Sequence, residues 1–199
     1  MSFEHSIYSQ SYKNGAINGD IVCWRDLINS SVFFLFDGLG HGKSAAISSR
    51  RAADFFEFCD FSDPSKFLKD LHGHLSNRGC AGVGIAGVIS RDKRNGAAIL
   101  NYASTGDCWG FVSAKKNSRF RSRRGIIGKS IGSVESISES VRIGSCIVVC
   151  SDGVDSQLYG EFGARDRLNI HFAAKNAVTT FGKFHDDSTI LIIKVLTDA

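Results

Sequence analysis

Phe33-Phe34-Leu35-Phe36-Asp37-Gly38-Leu39-Gly40-His41-Gly42-Lys43-Ser44 reads as an apolar strand, a glycine-rich loop and the first turn of a helix. Two architectures compete for it. In a nucleotide-binding NTPase it would be the phosphate loop of a parallel sheet, with the apolar run that ends at Asp152 as the second motif. The spacing fails: a phosphate loop requires glycine five places before Gly42, and that place holds Asp37, an anion aimed where phosphates would lie. The strand-rich stretch from 80 to 124, with no helix between strands, also contradicts a parallel sheet, whose strands need long crossovers. The glycines fit another task. Beside a metal-binding Asp37, Gly38 can turn its carbonyl toward a cation, while Gly40 and Gly42 allow backbone angles that a side chain would forbid.

Three further aspartates stand at the ends of apolar, strand-like runs: Asp20 ahead of Ile21 to Trp24, Asp152 behind Cys146 to Cys150, and Asp186 ahead of Ser188 to Val195. A carboxylate beside a buried strand is costly unless something cationic compensates it, and several converging ones form an oxygen-rich site for hard divalent ions. The remaining pattern predicts strands over 3–12, 20–24, 31–36, 81–90, 97–104, 108–114, 118–123, 145–150 and 188–196. Asn14-Gly15 and Asn18-Gly19 mark turns that would make the first two strands antiparallel neighbours, and Asn95-Gly96 marks another turn. Helices are predicted from Gly42 to about residue 58, from the capping pair Asp63-Pro64 to Arg78-Gly79, and from about Arg165 to Ala177. Two antiparallel sheets flanked by helices follow, an α+β fold.

The chain has 199 residues, 43% of them apolar and 11% aromatic, which suits one domain, residues 1–199, with a sizeable core. No apolar stretch approaches the roughly 20 residues of a membrane span, and the N-terminus lacks the layout of a secretion signal, so a cytoplasmic protein without a membrane partner is expected. Six cysteines show no zinc-type pairing and read as buried, reduced thiols. The net charge of +4 is modest, and its basic run, Lys115 to Lys129, has little aromatic interleaving, so nucleic acid is not the expected partner.

Asp20 in Asn-Gly-Asp, Asp37 in Asp-Gly-Leu-Gly-His-Gly, Asp152 in Ser-Asp-Gly-Val and Asp186 in Asp-Asp-Ser-Thr-Ile-Leu resemble, in order and strand context, the motifs of the PPM metal-dependent serine/threonine protein phosphatases. Within that superfamily the Asp-Gly-Leu-Gly loop is similar to the bacterial SpoIIE branch and its stand-alone stressosome phosphatases. The resemblance spans about Ile17 to Val195 and implies an α-β-β-α four-layer sandwich. It further implies two Mn²⁺ or Mg²⁺ ions: Asp37 bridging them, Asp20 and the Gly38 carbonyl on one, Asp152 and Asp186 on the other, with Asp187 supporting the ligands. All-oxygen ligation suits these ions better than zinc. A water activated between two cations would attack the phosphorus of phosphoserine or phosphothreonine in line, without a phospho-enzyme. The implied partners are phosphorylated stressosome proteins with STAS domains, the implied role feedback on a bacterial stress response, and the expected state a monomer.

The sequence departs from the family in places. Where many eukaryotic relatives carry a histidine after Asp-Gly, this chain has Leu39, with His41 two residues on; where they carry a phosphate-binding arginine, it has Ala16. Asp107, in Ser104-Thr105-Gly106-Asp107, reads either as the ligand of a third ion or as a turn-stabilising acid. If 118–123 is extended, Arg119, Arg121 and Arg123 share one face, either as a charged edge that blocks sheet-to-sheet association or as a steering surface for an acidic phosphoprotein. A catalytically silent module gripping a phosphorylated partner is the alternative from another class. The intact set of mutually repelling acids argues against it.

Overall fold

A computed structural model describes residues 2–12, 17–40, 42–92 and 97–197. In chain order the elements are β1 (Phe3–Gln10), β2 (Asp20–Asp26), β3 (Ser30–Gly38), α1 (Lys43–Phe58), α2 (Pro64–Ser76), β4 (Gly82–Arg91), β5 (Ala98–Thr105), β6 (Trp109–Ser113), β7 (Ser118–Arg119), β8 (Ile137–Val141), β9 (Cys146–Cys150), α3 (Leu158–Glu161), α4 (Ala164–Leu168), α5 (Ile170–Phe181) and β10 (Ser188–Val195). They build two five-stranded sheets, ordered β1-β10-β9-β6-β7 and β2-β3-β4-β5-β8. Every strand pair is antiparallel, which excludes the parallel NTPase architecture.

Strand β3 shows how the layers form. Phe33 and Leu35 point inward to Ile147, Val149, Leu191 and Ile193 of the facing sheet. Val32, Phe34 and Phe36 point outward to Phe56 of α1 and Phe67, Leu68 and Leu71 of α2. Both faces are buried, so the strand is apolar throughout, whereas a half-wet strand would alternate. On the opposite side, Val148, Ile190 and Ile192 pack under Ala173, Ala174 and Ala177 of α5. The result is helix, sheet, sheet, helix.

The structure differs from the sequence reading in four places. Strand β1 does not pair with β2; it pairs along its whole length with β10 in the other sheet, so the Asn18-Gly19 signal marks a crossing between sheets and not a hairpin. Asn18 does organise that crossing, its Oδ1 accepting the Asp20 N–H at 2.7 Å. The predicted strand 118–123 ends after Arg119: buried Phe120 stacks on Tyr102 with ring centroids 4.2 Å apart and draws the chain across to the second sheet, where Arg123 bridges Thr105. The predicted helix 165–177 divides at Asn169, whose side chain caps α5 by accepting the Phe172 N–H at 3.0 Å. Finally, β8 and α3 were not foreseen, being short elements whose identity depends on a neighbour. The turns at Asn14-Gly15 and Asn95-Gly96, together with Ala16 and His41, lie outside the described residues.

Candidate metal centre

Strand parity places the acids. Asp37 lies two residues beyond Leu35 and four beyond Phe33, hence on the face that looks toward the other sheet; Asp20 stands directly opposite it in the β2–β3 ladder. From the facing sheet, β9 delivers Ser151 and Asp152 and β10 is entered through Asp186 and Asp187. The two pairs meet at one end of the sandwich. Asp37, Asp107, Asp152 and Asp186 line a cavity of about 470 Å³ together with Gly38, Leu39, Val83, Gly106 and Arg124.

Close approaches hold these turns in place. A Cβ on Gly38 would lie 2.3 Å from the Ala45 carbonyl oxygen, so only glycine lets α1 pack against the end of β3. A Cβ on Gly153 would lie 1.8 Å from the Asp187 carbonyl oxygen, which ties the Asp152 turn to the entry of β10. Gly40 and Gly42 take positive φ of 97° and 64°, as expected of a loop that turns sharply into α1. Asp187 supports its neighbours: its carboxylate accepts the N–H of Tyr12 at 2.7 Å and of Gly19 at 2.6 Å, fixing the residue before Asp20. Lys183 clamps the other side, with Nζ donating to the Asp152 carbonyl at 2.6 Å and its N–H to the Gly153 carbonyl at 2.8 Å.

Electrostatics show what the cavity lacks. Asp37 is pushed up to about 9, first by burial and then by Asp20, Asp152, Asp186 and Asp107. Asp20 is pushed up to about 7 by burial foremost, hydrogen bonds with Ser151 and Thr189 opposing and Asp187 and Asp152 adding to the rise. Asp152 is raised by burial, then Asp186 and Asp107, against Lys183 and a hydrogen bond with Asp37. Among the described residues, buried Asp20 Oδ2 has no hydrogen-bond partner. An orphaned carboxylate oxygen beside mutually repelling carboxylates fits a divalent cation, which satisfies lone pairs and neutralises charge together. The acids ring the cavity and do not close on a point: among the described residues no three His, Cys, Asp or Glu side chains form a tight coordinating cluster.

The other sequence candidates scatter. Asp107 is exposed on the open side of the cavity, at a turn where Gly106 takes φ of 87°. Arg119 lies over Trp109 and Tyr159, its guanidinium 5.4 and 5.5 Å from their ring centroids; Arg123 pairs with Glu135 at 3.3 Å; Arg121 is exposed. They do not share a strand face. The residue sequence reasoning missed is Arg124, counted only as part of a basic run, yet a wall of the carboxylate cavity. No local sequence signal marked it; in the structure the neighbouring Gly125 is pressed so closely that a Cβ would meet the Ile131 carbonyl at 2.4 Å and the Thr105 hydroxyl at 2.7 Å. The cysteines are free, and Cys108 and Cys150 are wholly buried, their thiols pushed well up chiefly by burial. Neither is a nucleophile. His5 stacks on Trp24, His72 Nδ1 accepts the Gly128 N–H, and His171 contacts Ser6 and Glu4.

No family model matches the sequence, and no curated protein sequence does. Solved structures do match. A chain from work on the bacterial stressosome, described as a modular system adapted to control secondary messenger signalling, superposes with a TM-score of 0.78 at 20% identity, covering 98% of this chain and 100% of that one. RsbX in complex with magnesium superposes at 0.78 with 16% identity, covering 96% and 94%. A serine/threonine phosphatase of S. agalactiae superposes at 0.78 with 15% identity, covering 98% and 100%. The fold is therefore that of the PPM-type serine/threonine phosphatases.

Proposed function

We propose that this chain is a single phosphatase domain that hydrolyses phosphoserine or phosphothreonine in a protein, with Mn²⁺ or Mg²⁺ as its cofactor. One observation carries the reading: Asp37 and the acids at the β9 and β10 turns line one cavity, while Asp20 stands opposite Asp37 in the β2–β3 ladder with its Oδ2 oxygen left without a partner among the described residues. Asp37 would be shared between two ions, Asp20 and the Gly38 carbonyl would hold one, and Asp152 and Asp186 the other. Asp107, on the open side, is the residue for a third, more weakly held ion. When bound, such a pair supplies positive charge that acidifies water and offsets charge growing on phosphoryl oxygens.

The chain's own residues do the rest. Arg124 presents a planar, permanently charged guanidinium at the cavity wall, suited to bidentate contact with phosphoryl oxygens and able to replace the arginine that Ala16 does not supply. Lys183 fixes the Asp152 turn and Asp187 fixes Gly19, so both halves of the acid set are held before substrate arrives. Leu39 keeps the rim apolar and Val83 the wall, which limits water around the phosphoryl group. For partners, the likeness to RsbX and to a stressosome chain supports phosphorylated STAS-domain proteins of a stress-signalling complex, with this protein, a monomer in the cytoplasm, as the feedback arm. Arg121, exposed three residues before Arg124, would contribute to steering such an acidic partner.

The test is hydrolysis of p-nitrophenyl phosphate by purified protein. Turnover is expected with Mn²⁺, is stopped by EDTA, and disappears in Asp37→Asn; turnover indifferent to chelation would sink the reading. Purified phosphorylated STAS-domain proteins then decide the partner.

A further inference from the structure

A second cavity, of about 280 Å³, adjoins the carboxylate cavity and shares Leu39 with it as a common wall. Its chemistry is opposite. Arg51, Arg78 and Lys129 line it, with Leu39, Ile47, Ser44, Ser48, Gly79, Cys80 and Ala81, and among the described residues no acid does. The cations come from three separate elements: half-buried Arg51 from α1, Arg78 from the turn after α2, and Lys129 from the loop beyond Ile127, whose backbone pairs with Gly82. Arg51 donates through Nη1 to the Arg78 carbonyl at 3.0 Å and to Cys80 Sγ at 3.0 Å, and Arg78 donates through Nη1 to the His74 carbonyl at 2.9 Å. Neither arginine, nor Lys129, pairs with a carboxylate among the described residues, whereas adjacent Arg50 is engaged by Asp54 at 3.2 Å. The field is felt nearby: His74 is lowered, first by burial and then by Arg78 and Arg51.

Three uncompensated cations gathered from distant parts of the chain repel one another, and the arrangement is unfavourable until an anion joins it. Leu39 and Ile47, each 43% exposed, give the same pocket an apolar bank, and among the described residues no aromatic ring lines it for stacking a base. The Leu39 N–H donates to the Ala81 carbonyl at 2.9 Å, so the wall between the cavities is anchored at the β3–β4 edge.

We propose that this pocket binds an acidic segment of the protein substrate, within a few residues of the phosphorylated side chain, with aspartates or glutamates on Arg51, Arg78 and Lys129 and an apolar residue against Leu39 and Ile47. The inference rests on the phosphatase reading of the neighbouring cavity for the identity of the partner. The guanidinium forks supply direction as well as charge, and the contact is sensitive to salt because it lies at the surface.

Binding is measured by fluorescence anisotropy, with no turnover required, using a labelled phosphoserine peptide flanked by glutamates and its counterpart flanked by glutamines. The wild-type chain is expected to hold the glutamate peptide about tenfold more tightly at low salt, and Arg78→Gln with Lys129→Gln is expected to erase that preference, a change in the range measured for close interfacial charge pairs. Arg51→Lys, which keeps the charge but not the fork, should fall between the two. Unaltered thermal melting of each variant shows that folding is intact. Equal binding of the two peptides by wild type, an unchanged preference in the double variant, or displacement of the glutamate peptide by single-stranded DNA of equal charge overturns the inference. A wild-type protein that never hydrolyses p-nitrophenyl phosphate yet discriminates between the peptides would remove the phosphatase reading and keep this surface; hydrolysis without discrimination would do the reverse.

Discussion

The two sheets contribute their acids by different means. Asp20 and Asp37 lie within β2 and β3 and face each other in a ladder, so their separation is set by backbone hydrogen bonding, and they are the more deeply buried pair. Asp152 and Asp186 lie on turns outside β9 and β10, and their positions depend on Gly153, Asp187 and Lys183. The ladder-held pair finds hydrogen bonds from Ser151 and Thr189 to Asp20 and from Asp152 to Asp37; the turn-held side has a lysine at hand. Burial raises the need for a cation, and turns supply the adjustability with which to receive one.

Three substitutions probe that contrast, and a fourth, away from both acid pairs, bounds it. The largest effect is expected on the ladder side: Asp37→Asn should lower metal-dependent hydrolysis of p-nitrophenyl phosphate by more than about 100-fold, beyond what losing a supporting partner of a ligand costs. In EDTA near neutral pH the same variant should melt higher than wild type, because a carboxyl raised to about 9 must take up a proton on folding and Asn need not; a lower melting temperature would show that Asp37 is not frustrated as described. Next comes Gly153→Ala, which drives a methyl into the Asp187 carbonyl, 1.8 Å from the ideal Cβ. Overpacking of this kind costs about 1–3 kcal/mol, and a displaced Asp152 should reduce turnover by about 100-fold. Urea unfolding and kinetics read the two effects separately.

Lys183→Met is gentler. Loss of the 2.6 Å bond to the Asp152 carbonyl should raise the Mn²⁺ concentration for half-maximal activity about tenfold, with Asp152 rising further once the lysine no longer opposes it. A Mn²⁺ titration that matches wild type would show that the turn needs no clamp.

Smallest, and remote from either acid pair, is Asp63→Ala. The Asp63 carboxylate caps α2 by accepting the Ser65 and Lys66 N–H at 2.7 and 3.1 Å and the Ser136 hydroxyl at 2.7 Å. Burial nudges it up, but the Ser136 hydroxyl and the helix N–H groups outweigh burial and hold it at about 2. A folded pKa below the ordinary 3.8 means that the stabilisation is present above that pH and is lost as pH falls toward 2. The variant should lose about 1 kcal/mol near neutrality, keep its turnover, and show a shallower fall in melting temperature over that acid range than wild type. The group is mostly exposed, so solvent screening keeps the effect small.

Much of this was legible in the residues. The four acids, the glycines of the loop and the Asp63-Pro64 helix start announce themselves through local chemistry: an acid next to an apolar run, a residue type tied to one backbone conformation. Less legible was anything that depends on which strand lies beside which. Asn18-Gly19 looks the same whether the chain reverses into a hairpin or crosses to another sheet, and only the complementarity of β1 with β10 selects the crossing. The arginines at 119, 121 and 123 alternate as a strand face would, but Phe120 finds Tyr102 and ends the strand.

By itself the sequence determined the alternation that turns Asp37 to the same strand face as Phe33 and Leu35 and the need for something to offset buried carboxylates, since both follow from bonding within a few residues. Only the tertiary structure decided that Arg124 stands at the cavity wall and that Arg51, Arg78 and Lys129 share a pocket behind Leu39. Those groupings unite residues far apart along the chain, and their proximity is created by packing two sheets and their helices together.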